Sequence, residues 1–228
     1  MPGLRDKMHG SWKLCNTWEK LLPARRAAPI TARICIGLAG AAIAVGQPRV
    51  ALLLLLGFEG VLRSVELFQL KRGDVFFGRK RAALRLIDTK GGQRRGQWEM
   101  VAIKSPVILS LLRWACKGLR PDELLCPLAP YKLRQVFKLL CDALEIQYLG
   151  LSWYSLRRGG ATANFMLHGN LELTLQFGRW SSTRTSKRYV MQAVAEVVKM
   201  SLNGHQQALL REARRNVHKF LREVTLGG

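Results

Sequence analysis

Residues 34–62 are almost wholly apolar, and any fold of this chain must find a place to bury them. Residues 34–46 form a first apolar run. Gln47, Pro48 and Arg49 interrupt it, and residues 50–58 form a second run that stops at Glu59. A helix that crosses a bilayer needs about 20 consecutive apolar residues, and neither run reaches that length. The stretch therefore reads as two core helices joined at Gln47-Pro48, and it excludes a membrane span. Thr31, after Pro29-Ile30, is placed to cap the first of them.

The chain has 228 residues, enough for one large domain or two small ones, and at 48% hydrophobic it can bury a real core. Its 37 Lys and Arg against 15 Asp and Glu give a formal charge of +22. So large a surplus on a foldable chain points to a polyanionic partner. Nucleic acid is the first candidate and an anionic membrane surface the second. The five cysteines, Cys15, Cys35, Cys116, Cys126 and Cys141, are odd in number and contain no CxxC pair. They suggest neither a disulfide framework nor a zinc site, and fit a reducing compartment. The four histidines show no ligand spacing, so no metal is expected. The N-terminal residues lack the apolar core of a secretory signal.

Periodicity predicts helices near residues 31–46, 49–58, 62–70, 107–117, 132–144, 152–168 and 171–177. Ser152 is the expected cap and Gly169 the expected stop of the helix at 152–168. A further helix after Ser181-Ser182-Thr183 carries Tyr189, and residues 206–224 continue the helical pattern. Residues 75–77, 82–88 and 97–103 are short, rich in β-formers or bounded by glycine. They predict a small antiparallel sheet with Lys90-Gly91-Gly92 at the turn between its second and third strands. The expected fold class is thus α+β, mostly α-helical, with a three-stranded antiparallel sheet.

Against this background one set of residues carries chemistry: Arg63 with Glu66, Lys90, Tyr154 with Arg157, Trp180, and Tyr189. Lys90 follows Arg63 by 27 residues, Trp180 follows Arg157 by 23, and Tyr189 follows Trp180 by 9. Together these side chains can make a metal-free site for cutting a phosphodiester. Guanidinium groups suit the charge that builds on the nonbridging oxygens of the transition state, and Arg63 and Arg157 are the candidates. A lysine on a hairpin can protonate the leaving oxygen, a role for Lys90. A phenol can be the covalent nucleophile, and Tyr189 is chosen. Trp180 can donate its indole N–H to a phosphate oxygen or pack the nucleophile's helix. Glu66 lies three residues after Arg63, on the same helical face, and can orient it. Singly, each is more often an ordinary surface or core residue; their order and joint spacing reverse that judgement.

The set resembles the catalytic domain of the tyrosine recombinase (phage integrase) family. LLLLLGFEGVLRSVELFQLKRGDV looks like its first-arginine box, LSWYSLRRGGATANFMLHGN its second-arginine box, and LQFGRWSSTRTSKRYV its terminal box. The resemblance covers about residues 29–205. It implies an integrase-like catalytic domain at 29–205, with residues 1–28 as a linker or the remnant of a DNA-binding domain. Residues 206–228 would form a C-terminal helix that can dock on a neighbouring protomer.

The resemblance also implies a site-specific recombinase that works through a 3′-phosphotyrosine without metal, ATP or any other cofactor. Its partner would be double-stranded DNA, with a homotetramer assembled on it, and its place intracellular, with DNA. Lys71, Arg72, Arg79, Lys80, Arg81, Arg94, Arg95, Arg158 and Arg179 are the candidate phosphate contacts. Two residues depart from the pattern. Tyr154 stands where histidine is usual, and with a reference pKa of about 10 a phenol is a poor base near neutrality. Arg179 stands where glycine is common. Three other readings remain: a type IB topoisomerase-like enzyme, a non-catalytic DNA-binding protein derived from a truncated mobile-element integrase, and a membrane-surface protein.

Overall fold

A computed structural model of the chain describes residues 27–87, 98–180 and 183–226, and the isolated positions Ser11, Leu14 and Thr17. Helix α1 (Ala32–Ala44) starts where Thr31 Oγ1 accepts a hydrogen bond from the Ile34 amide at 3.3 Å. It ends in a turn at Gly46, whose φ is 71°. Pro48 then opens helix α2 (Pro48–Glu59), where a missing amide costs nothing. Every residue of α2 from Val50 to Gly57 is buried. A helix buried all round is a central element rather than a surface one. Each fully buried leucine of α2 contributes about 1.5–3 kcal/mol of transfer free energy.

Other helices pack around α2. Helix α1 lies along it on one side; α4 (Pro106–Cys116) and α6 (Trp153–His168) pack on others, and α3 (Ser64–Phe68) turns away at its C-terminal end. Helix α5 (Pro130–Ala143) carries Leu133, Phe137 and Leu140 into the core, where Phe137 and Phe68 flank the buried ring of Trp153. Short α7 (Leu171–Phe177), α8 (Thr183–Lys199) and long α9 (Gly204–Leu226) complete the chain. Among the described residues, two 3₁₀ turns, Arg72–Asp74 and Gln147–Leu149, were not expected from the periodicity.

The sheet has the order β1-β2-β3, all antiparallel: β1 is Val75–Phe77, β2 Ala82–Leu86 and β3 Glu99–Ile103. Ala82 pairs with Ile103 at one end, and Leu86 pairs with Glu99 at the other. Val75, Ala82, Leu84, Leu86, Val101 and Ile103 face the core. On the opposite face Arg85 lies over the rings of Phe76 and Trp98 and binds Asp74 at 3.0 Å.

Helix α9 packs along α1 of the same chain through Leu210, Ala213 and Val217. The two backbones approach so closely that a Cβ on Gly40 would lie 1.8 Å from the Ala213 carbonyl oxygen. Phe220 meets Trp114 edge-on at 5.0 Å. The opposite face of α9 is largely exposed. Among the described residues, no helix is long and apolar enough to cross a membrane.

Candidate active site

The site is built at the corner between α2 and α3. Gly60, Val61 and Leu62 reverse the chain there, and Val61 holds a left-handed φ of 50°, which is strained for a β-branched residue. Val61 and Leu62 are fully buried. The next residue, Arg63, is the N-cap of α3. Its amide donates to Glu66 Oε2 at 2.7 Å, and its Nη1 donates to Glu66 Oε1 at 2.5 Å. The expected pairing is thus present, with the arginine partly open and the carboxylate buried.

Arg157 reaches the same corner from the second turn of α6. Its Nη1 donates to the Val61 carbonyl at 2.5 Å and its Nη2 to the Gly178 carbonyl at 2.6 Å. The guanidinium carbon lies 4.8 Å from the ring centroid of Trp180. Arg157 is only 2% exposed. Its planar fork therefore ties the α2–α3 corner to the loop between α7 and α8, with the indole as a lid.

Tyr154 sits one turn earlier on α6 and is 43% exposed. It lines a groove with Ser64, Phe68, Arg134, Phe137 and Lys138, and so borders Arg63 through its neighbour Ser64. Tyr189 lies on α8, but its side chain falls outside the described residues. The adjoining Val190 is fully buried against Val61 and Ala161, with Trp180 packed on the same cluster. The tyrosine's helix is thereby seated on the corner that Arg157 holds. Lys90, Arg94 and Arg95 lie outside the described residues.

Two expected phosphate contacts are corrected. Arg158 is 0% exposed; its Nη1 and Nη2 grip Glu196 of α8 at 2.8 and 2.9 Å, and Nη1 also donates to the Ala27 carbonyl. Both arginines are buried, but successive helical residues point about 100° apart, so Arg158 meets Glu196 while Arg157 meets the α2–α3 corner. Arg179 also points inward, its side chain 9% exposed, to Glu66 at 2.8 Å and Glu99 at 3.0 Å. Burial lowers its pKa, and the two carboxylates oppose that shift.

Lys71, Arg79, Lys80 and Arg81 are exposed, whereas Arg72 is half-buried and donates to the Val75 carbonyl. The 79–81 turn joins the sheet at the Ala82–Ile103 end, away from the Glu99 end that touches Arg179. These three cations are therefore not gathered at the site. Lys71 is nearer. It lines a groove of about 340 Å³ with Glu66, Asp74 and Arg85.

Among the described residues, three basic side chains beside the corner, Arg85, Arg134 and Lys138, were missed. For Arg134 and Lys138 a signal existed, since positions four apart share a helical face. Arg85 gave none, because an arginine in a strand is equally suited to either face's rim.

No protein-family model matches the chain, and no curated protein matches it by sequence. Solved structures do match its shape. The XerH site-specific recombinase bound to palindromic difH substrate, in a post-cleavage complex, aligns with a TM-score of 0.61 and 18% identity, over 77% of this chain and 52% of that one. The same recombinase in a pre-cleavage complex with difH gives 0.59 and 19%, over 76% and 53%. XerA recombinase gives 0.57 and 16%, over 91% and 74%. The chain spans about half the length of the XerH structures it matches. Mostly helical, with a three-stranded antiparallel sheet at the side of a buried arginine corner, this chain has the fold of the tyrosine recombinase catalytic domain.

Proposed function

We propose that this chain cleaves and rejoins duplex DNA through a phosphotyrosine intermediate, as a site-specific recombinase. The observation that carries the reading is the α2–α3 corner. Arg63, Arg157 and Trp180 converge on it, and the helix bearing Tyr189 is seated against it. That arrangement supplies two guanidinium groups for the nonbridging oxygens and an indole donor beside them. Tyr189 would attack the phosphorus, its phenol proton passing to water, as the bond to the 5′-oxygen breaks and that oxygen takes a proton from Lys90. Tyr154 would donate its hydroxyl to a phosphate oxygen. The +22 charge of the chain supports a polyanionic partner. Assembly as a homotetramer on two duplexes belongs to the same proposal.

A second reading, DNA binding without cleavage, is favoured by one observation. Arg157 is 2% exposed and already donates to two carbonyls, so a phosphate must share it with them inside the fold. A covalent-trapping assay on nicked duplexes separates the readings. Under the proposal, wild type gives a protein–DNA adduct that survives denaturation, and Tyr189→Phe does not. Loss of the adduct in Tyr154→Phe alone would move the nucleophile to Tyr154. Duplex binding with no adduct from any variant would replace the proposal with the binding reading.

A further inference from the structure

We propose that Arg179 is a positioning residue, which locks the carboxylate that holds Arg63 and anchors the strand end next to the Lys90 segment. The inference rests on the proposed function, and it deepens that reading by adding a residue to its site.

Arg179 occupies a left-handed conformation, φ 55°, where glycine is favoured. A non-glycine residue kept there points to a use for its side chain. That side chain gathers four partners from three segments. Nη2 donates to Glu66 Oε2 at 2.8 Å, and Nε donates to Glu99 Oε2 at 3.0 Å. Nη1 donates to the Gly60 carbonyl at 3.2 Å, and Nη2 reaches the Val61 carbonyl at 3.4 Å.

Glu66 therefore serves two arginines: its Oε1 takes Arg63, and its Oε2 takes Arg179 together with the Arg63 amide. Glu99 is the first residue of β3, where the strand receives the chain from the segment bearing Lys90. One guanidinium thus joins the Arg63 cap, the α2–α3 corner and the hairpin, from a position adjoining Trp180. With two carboxylates and two carbonyls around it, Arg179 is not set to receive a phosphate. It also offsets the charge of Glu66 and Glu99, which would otherwise repel one.

The test compares Arg179→Gly and Arg179→Lys with wild type. Adduct formation is followed in single turnover on a nicked duplex, and duplex affinity is measured separately by mobility shift. For Arg179→Gly we expect adduct formation to slow by about 10–100-fold with affinity kept within about twofold, as for a misplaced catalytic group. Arg179→Lys, which keeps the charge but not the fork, should recover part of the rate. Lost affinity with an unchanged rate would overturn the proposal in favour of direct phosphate contact. A wild-type rate in Arg179→Gly would overturn it as well.

Amide hydrogen exchange without DNA gives an arm that needs no activity. Both variants should exchange faster at residues 60–67 and 99–103 while α1 and α2 stay protected, and unchanged exchange at those segments would overturn the linkage. Should Arg179→Gly lose protection throughout, Arg179→Lys decides. If wild type itself forms no adduct, the proposed function fails, and the exchange arm still judges Arg179.

Discussion

Arg157 and Arg158 are neighbours with opposite employment. Arg157 is gripped by two carbonyl oxygens and a ring face, Arg158 by the carboxylate of Glu196. Nothing in the dipeptide tells them apart; the difference arises from which side of α6 meets α8. Removing the acid should therefore hurt more than its half-exposed position suggests. Glu196→Ala leaves a buried guanidinium without that counter-charge and is expected to lower stability by about 1–3 kcal/mol in urea melts. Arg158→Met with Glu196→Leu should recover most of the loss, since the desolvation cost disappears with the charge.

Cys141 makes a second prediction at this scale. Burial pushes its thiol from 9.0 up to about 12. Between those values the unfolded chain sheds a proton that the folded chain keeps. Stability is thus full below pH 9 and falls as pH rises toward 12, at up to about 1.4 kcal/mol per pH unit. Urea melts at pH 8, 9 and 10 should show a smaller decline in Cys141→Ala than in wild type.

At the scale of elements much was legible. Thr31 caps α1, Pro48 opens α2, Gly169 with φ 63° stops α6, and the three strands fall inside the expected runs. These features are local, written in caps, prolines and β-formers, and so they can be read without neighbours. The inward turn of Arg179 was not legible, because it depends on Glu66 and Glu99, 113 and 80 residues away in sequence.

The α1–α9 contact shows the same limit. Gly37 and Gly40 read as ordinary residues of an apolar helix, yet they are where α9 presses in. Gly40→Val must push Ala213 aside, so α9 should loosen at a cost of about 1–3 kcal/mol. Limited proteolysis checks this: cleavage within residues 204–226 should become faster while the α2 region stays resistant.

For the whole molecule, charge is the property that sequence states best and locates worst. The surplus of +22 was plain, but Arg158 and Arg179 are spent inside the fold, and Arg79, Lys80 and Arg81 lie at the far end of the sheet. Among the described residues, exposed or half-exposed cations bordering the site include Arg63, Lys71, Arg85, Arg134 and Lys138. Arg134→Ala with Lys138→Ala should weaken duplex binding and flatten the plot of log affinity against log salt by about 1–2 units of slope, read by fluorescence anisotropy. The same pair of changes made at Arg79 and Lys80 should flatten it less.

The clasp between α1 and α9 also has a consequence for how the protein is made. The surface that covers Gly37 and Gly40 is translated about 160 residues after α1 itself. At roughly 5–20 residues per second, that is on the order of ten to thirty seconds. During that interval the growing chain carries an apolar helix whose cover does not yet exist. The seam between α1 and α9 can close only once α9 has been made, however early the contacts between α1 and α2 form.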